Sequence, residues 1–206
     1  KSAAEAAITS GVISSEDESY VFKFDGGTFI NPNFDDLGPR NDYVPSELVI
    51  NTMNANNDPR RATWFTQVGG AYVGGVFGEL NTFGDFSHMS SDFQSASAPG
   101  NLLSYVEVLF LKSEAAARGY SVGGTAESFY NAAIVASMTE NSVATADATA
   151  YLAANPYNAA NWKQSIGVQA WVAMFNRGFA AWNFSRRLDY PVFVNPANSQ
   201  LDGVPV

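Results

Sequence analysis

The sequence predicts a mostly α-helical protein with long irregular loops and a few short strands. Three observations carry this. From about residue 101 to 182 apolar residues recur at helical spacing, broken only by short polar links. Residues 102–119, LLSYVEVLFLKSEAAARG, form the clearest helix, apolar on nearly every side and so buried on nearly every side. Residues 67–100, by contrast, hold seven Gly and several aromatics with no helical period. At 206 residues the chain suits one domain or a domain and a half; it is taken as a single domain with a loop-rich part over 1–100 and a helical part over 101–206.

Taken in order, residues 2–8 are Ala-rich with Ala4, Ala7 and Ile8 at helical spacing, and Gly11 ends that helix. Residues 14–19 are polar and acidic and read as loop. YVFKF at 20–24 has the aromatic and β-branched content of a short strand, followed by the turn signal Gly26-Gly27. Residues 31–42 are dense in turn formers. Their Asn31, Asn33, Asp35 spacing is that of a calcium loop, but position 6 is Asp36 instead of Gly and position 12 is Asp42 instead of Glu, so Asx-turns are the better reading and no metal is assigned. A helix is expected over 45–55, with Pro45 at its first position and Leu48, Val49, Thr52 and Met53 inward. Asp58 beside Arg60 and Arg61 points to a local ion pair that fixes a turn. Residues 63–66 read as a strand edge.

In the helical part, Glu107, Glu114 and Arg118 share one face of the first helix, with Glu114 four residues before Arg118 in the favourable order for an ion pair. Gly119 ends it. Thr125 is the expected N-cap of the next helix, which buries Phe129, Tyr130, Ala133, Ile134 and Met138, and the short link makes the two a helical hairpin. A short helix follows over 147–154, before Pro156. Asn158 or Asn161 caps a last long helix that runs to about Trp182, with Arg186 and Arg187 just past its end. Pro191 and Pro196 make the tail extended. The chain opens mid-helix and stops in a loop (DGVPV), which reads as a fragment of a longer protein.

Composition excludes several function classes. Eleven Lys and Arg against 20 Asp and Glu give a net charge of −9, unfavourable for nucleic acid or anionic lipid. With no Cys there is neither a disulfide nor a thiolate site. The one His, His88, cannot build a multi-His metal centre and stands in no Ser-His-Asp pattern; it reads as a loop hydrogen-bonder, with contact to ligand as the alternative. No phosphate-binding glycine loop is present, and no cofactor is expected.

The aromatics of the Gly-rich stretch carry the functional reading. Trp64, Tyr72, Phe77, Phe83 and Phe86 cannot all be core in so long a loop. Flat rings there suit stacking on sugars, whose slightly positive C–H groups face the negative π-cloud; alternatively they pin the loop to the helical body. With His88 they are the candidate ligand-binding residues, and Asn41 and Tyr43 are weaker ones. The carboxylates Glu107 and Glu114 read as structural bridges between helices.

Four segments, EVLFLKSEAAARG (107–119), GGTAESFYNAAIVASM (123–138), YLAANPYNAANWKQSIGVQAWVAMFNRGFAAWNFSRRLDYP (151–191) and RNDYVPSELVINTMNANNDPRR (40–61), together resemble the C-terminal half of the SusD/RagB family. The resemblance implies a SusD-like helical fold whose N-terminal half holds tetratricopeptide-like helix pairs. It implies an outer-membrane, surface-exposed lipoprotein of Bacteroidetes, anchored through a lipid upstream of this chain. It further implies a non-catalytic lid on a SusC-like TonB-dependent transporter, capturing an oligosaccharide or, in some members, a peptide. Two rivals remain. A strand edge at 20–24 or 63–66 would serve peptide capture. A glycoside hydrolase would need paired carboxylates, for which Glu79, Asp85 and Asp92 are the acids of the aromatic loop. An interaction scaffold without a small ligand follows if the loop aromatics are buried.

Overall fold

The computed structural model describes residues 1–37 and 40–196. Among these are nine helices and two short strands, the mostly α fold the sequence predicts. The DGVPV end read as loop lies outside the described residues. The chain divides into two compact units, one of Lys1–Tyr20 with Asn101–Phe193, the other of Val21–Gly100 with residues 194–196.

The first unit is helical. It opens with α1 (Ser2–Ser10), ended by Gly11, and continues through α5 (Tyr105–Ala117), α6 (Ala126–Glu140), α7 (Thr145–Ala154), α8 (Trp162–Ala173) and α9 (Gly178–Leu188). Sequence chemistry sets the boundaries. Ser104 caps α5 by accepting from the Glu107 N–H at 3.2 Å. At its other end Gly119 takes φ +76°, and the N–H groups of Gly119 and Tyr120 close back on the carbonyls of Ala116 and Ala115, both at 2.9 Å. That left-handed turn is open to glycine without strain. Thr125 and Ser128 cap α6 reciprocally. Fully buried Phe110, Ile134, Met138, Ile166, Met174 and Leu188 fill the core between these helices. Burying side chains of this size contributes about 1.5–3 kcal/mol each.

The polar face of α5 is consumed by arginines. Glu114 pairs with Arg118 at 2.9 Å, as its spacing predicts, and also with Arg187 of α9 at 3.0 Å. Glu107 pairs with Arg177 at 3.1 Å. Burial lowers the Arg177 pKa, and the Glu107 charge offsets only part of that. Both carboxylates are structural bridges, as expected.

Several expectations need correction. The last long helix is two, α8 and α9, separated by a turn in which Asn176 adopts φ +63°. Arg177 sits in that turn, donating to Glu107 Oε2, to Ser104 Oγ and to the Met174 sulfur, so the break places a cation where α5 begins. Asn158, not Asn161, supplies the capping side chain before α8, accepting from Ala160 and Asn161 N–H. Arg186 and Arg187 belong to the last turn of α9 instead of following it.

The second unit contains α2 (Pro32–Leu37), α3 (Glu47–Ala55) and α4 (Arg61–Trp64) among long loops. Ser46, not Pro45, opens α3: its Oγ accepts from the Leu48 N–H at 3.2 Å. Asn31 makes the expected Asx-turn, accepting from the Asn33 N–H at 2.8 Å. Residues 63–64, read as part of a strand edge, lie in α4, because the Arg60 and Arg61 carbonyls accept from Trp64 and Phe65 N–H in helical register. The extended backbone begins at Phe65, which bridges antiparallel to Met89. The strands β1 (Tyr20–Phe22) and β2 (Gly100–Leu103) form a two-stranded sheet.

Candidate functional site

Five of the six residues marked from the sequence as ligand-binding sit on loops of the second unit, and the sixth, Trp64, ends α4. What holds those loops is a buried ion pair. The N–H groups of Asn57 and Asp58 close α3 onto the carbonyls of Asn54 and Met53, with Asn57 at φ +50°. The Asp58 carboxylate accepts from the Arg60 backbone N–H at 3.0 Å, from its Nε at 2.9 Å and from its Nη2 at 2.5 Å. Both side chains are 1% exposed. The turn that the sequence marked is thus fixed by a two-pronged, dry pair.

From this anchor the neighbouring side chains are positioned in turn. The Arg60 guanidinium lies 5.4 Å from the centre of the Trp64 ring. Arg61 donates to the Asp58 carbonyl at 2.8 Å and to Asn54 Oδ1 at 2.7 Å, and its guanidinium lies 5.4 Å from the Tyr72 ring. Asn54 in turn donates to the Tyr72 carbonyl at 3.0 Å. Tyr72 is therefore fixed at ring and backbone and stays partly exposed.

Trp64 does not belong to a ligand surface. It is 3% exposed, with Phe65 and Phe93 edge-on at 6.2 and 6.3 Å. A ring enclosed by Arg60, Phe65 and Phe93 has no face left for a sugar, so the stacking role read for it from sequence is withdrawn.

Phe83 and His88 are brought together. Their rings stack at 3.7 Å with an 11° angle, and His88 Nε2 lies 2.8 Å from the Phe83 carbonyl. The His88 N–H donates to Thr66 Oγ1 at 3.0 Å. His88 is the loop hydrogen-bonder the sequence suggested, and its ring backs Phe83. Phe86 is partly exposed nearby in sequence, and Phe77 is 48% exposed.

The limb that carries Phe77 is drawn onto α3. Gly75 donates to the Pro45 carbonyl, and its own carbonyl accepts from the Glu47 N–H, both at 2.8 Å. Gly74 lies so close to this helix start that an added Cβ would stand 2.4 Å from the Glu47 Cα. No larger residue fits there. Buried Ser87 ties the base of the loop, with its Oγ accepting from Val73 N–H at 2.9 Å and its N–H donating to the Val73 carbonyl at 2.8 Å.

Sequence reasoning passed over Phe29 and Phe34, exposed at 63% and 42% in the same unit, while Tyr43, a weaker candidate, is 58% exposed. The signal was present: large aromatics inside turn-rich stretches that cannot bury them. Glu79, Asp85 and Asp92 all lie exposed, a poor setting for the raised acid that glycoside hydrolysis needs. Among the described residues no group of His, Cys, Asp and Glu could hold a metal ion.

The family model "SusD-like_2: Starch-binding associating with outer membrane" matches residues 1–206. The chain belongs to the SusD-like family. No curated protein matches it. Among solved structures, it is similar to a chitin-binding protein at 25% identity and TM-score 0.85, covering 96% of this chain and 48% of that one. A SusD homologue from Bacteroides thetaiotaomicron matches at 26% identity and TM-score 0.82, over 94% of this chain and 47% of the other. A chitin-binding SusD homologue from Flavobacterium johnsoniae matches at 26% identity and TM-score 0.79, over 92% and 46%. This SusD-like chain thus spans about half the length of the structures it matches. None of its described helices is long and apolar enough to cross a membrane.

Proposed function

We propose that this SusD-like chain is the glycan-capturing part of a non-catalytic, surface-exposed outer-membrane lipoprotein. In this reading it takes an oligosaccharide nutrient and delivers it to a SusC-like TonB-dependent transporter. The observation that carries the reading is a set of rings on firmly tied loops, with Phe77 exposed and Tyr72, Phe83 and Phe86 partly exposed. Such rings offer flat apolar faces to a sugar without first having to be ordered. The family description and the two chitin-binding neighbours favour carbohydrate over peptide. The lipid anchor belongs to the protein upstream of this chain, and engagement of the transporter adds avidity to a modest single site.

A glycan screen on the full-length protein tests this, using starch-derived and chitin-derived oligosaccharides together with a peptide library. Tyr72→Ala, Phe77→Ala and Phe83→Ala are each expected to weaken the glycan hit about three- to tenfold, as loss of one stacking ring does. Trp64→Ala is expected to lower thermal stability instead, since it opens a cavity in the unit. Binding of peptide alone, or glycan binding indifferent to all three ring substitutions, would overturn the assignment of the site.

A further inference from the structure

The tip of the aromatic loop, residues 76–81, is ordered by polar bonds and hardly at all by burial. Asn81 makes three of them. Its Oδ1 accepts from the Val76 N–H at 2.8 Å, and its Nδ2 donates to the carbonyls of Val76 at 3.1 Å and Glu79 at 3.0 Å. Three bonds use most of the capacity of one carboxamide. Around it the Glu79 N–H donates to the Val76 carbonyl at 3.3 Å, and the Phe77 N–H donates to Glu47 Oε1 at 3.3 Å. Gly75 makes room for the carboxamide: a Cβ there would stand 3.1 Å from Asn81 Cγ. Meanwhile Val76, Phe77 and Leu80 are 38%, 48% and 104% exposed.

A surface loop held in one shape for the sake of the core would point its apolar side chains inward. This one points them out, and one carboxamide supplies three of the hydrogen bonds that order it. Fixing a loop in advance removes an entropic cost from binding, so the arrangement serves whatever Phe77 meets. We propose that Asn81 is a positioning residue for the glycan site: its carboxamide holds the tip so that Phe77 meets the sugar already oriented. This rests on the glycan reading above. The tip surface also favours a neutral sugar that carries an apolar substituent, since Val76 and Leu80 are exposed beside Phe77 in the chain, while Glu79 lies on the same tip and Glu47 of α3 bonds to it.

The test is a double-mutant cycle on the full-length protein, with the best glycan from the screen as probe. Asn81→Ala is expected to weaken binding roughly five- to tenfold while leaving the melting temperature within about 2 °C, and to cost nothing further in a Phe77→Ala background. Asn81→Asp keeps the acceptor for Val76 and loses both donors, so it falls between. Amide exchange at Val76 and Glu79 accelerates in Asn81→Ala. Losses that add across the cycle, or unchanged affinity despite faster exchange, would overturn the positioning role and leave the glycan reading standing. A large fall in melting temperature would make Asn81 structural and would also overturn it. Absence of glycan binding by the unmutated protein would sink the glycan reading, and the positioning role with it.

Discussion

Asp58 and Arg60 show what a two-residue spacing accomplishes. Asp at the end of α3 and Arg two positions on are close enough for the carboxylate to take both a backbone and a side-chain donor. Because both side chains are 1% exposed, the carboxylate cannot be removed harmlessly. Asp58→Ala leaves a guanidinium charge inside the unit and is expected to cost about 3–5 kcal/mol, read as a shift of the denaturation midpoint in urea. A shift below about 1 kcal/mol, typical of surface pairs, would mean the pair is hydrated in solution. The pair itself was legible in the sequence, since both partners lie within one turn. Burial of Trp64 was not. Nothing in the run TWFT says that Phe93, 29 positions on, closes over that ring.

At the level of elements the same division holds. The polar stripe of α5 was visible from helical spacing, as was the Glu114–Arg118 pair, because both lie within five residues. The partners from α9 and from the α8–α9 turn are some 70 positions away, and no local pattern names them. The break between α8 and α9 escaped for a related reason: WKQSIGVQAWVAMFNRGFAAW keeps a broadly apolar pattern through Phe175, and only the left-handed Asn176 interrupts it. That turn has a structural task. It lets Arg177 reach Glu107 and Ser104 at the start of α5, tying cap and ion pair together. Arg177→Met keeps the bulk, removes the charge and takes from Glu107 its ion-pair partner. With these side chains 12% and 17% exposed, the expected loss is about 2–3 kcal/mol, somewhat under that of a fully dry pair. Glu107→Gln, which retains a neutral acceptor, loses less. Equal losses in the two variants, measured by urea denaturation, would show that the charge, and not the hydrogen bond that Gln retains, carries the interaction.

For the whole molecule the decisive quantity is charge. The sequence carries 20 acidic residues against 11 basic ones, and the basic ones are largely engaged: Arg60, Arg118, Arg177 and Arg187 each sit in an ion pair within their own unit. The acids of the aromatic loop, Glu79, Asp85 and Asp92, are exposed. The proposed ligand face therefore presents negative charge beside aromatic rings. A neutral oligosaccharide gains its affinity there from ring contact and hydrogen bonds, which salt does not screen, whereas an acidic polysaccharide meets repulsion that salt relieves. Affinity for the neutral glycan is accordingly expected to change less than about twofold between roughly 50 and 500 mM salt. A uronic-acid polymer is expected to show no binding at the lower salt. Isothermal titration of the full-length protein at both salts decides it. Binding of the neutral glycan that collapses as salt rises would count against ring contact as the source of its affinity, and the rings would then be flanking surface instead of the platform.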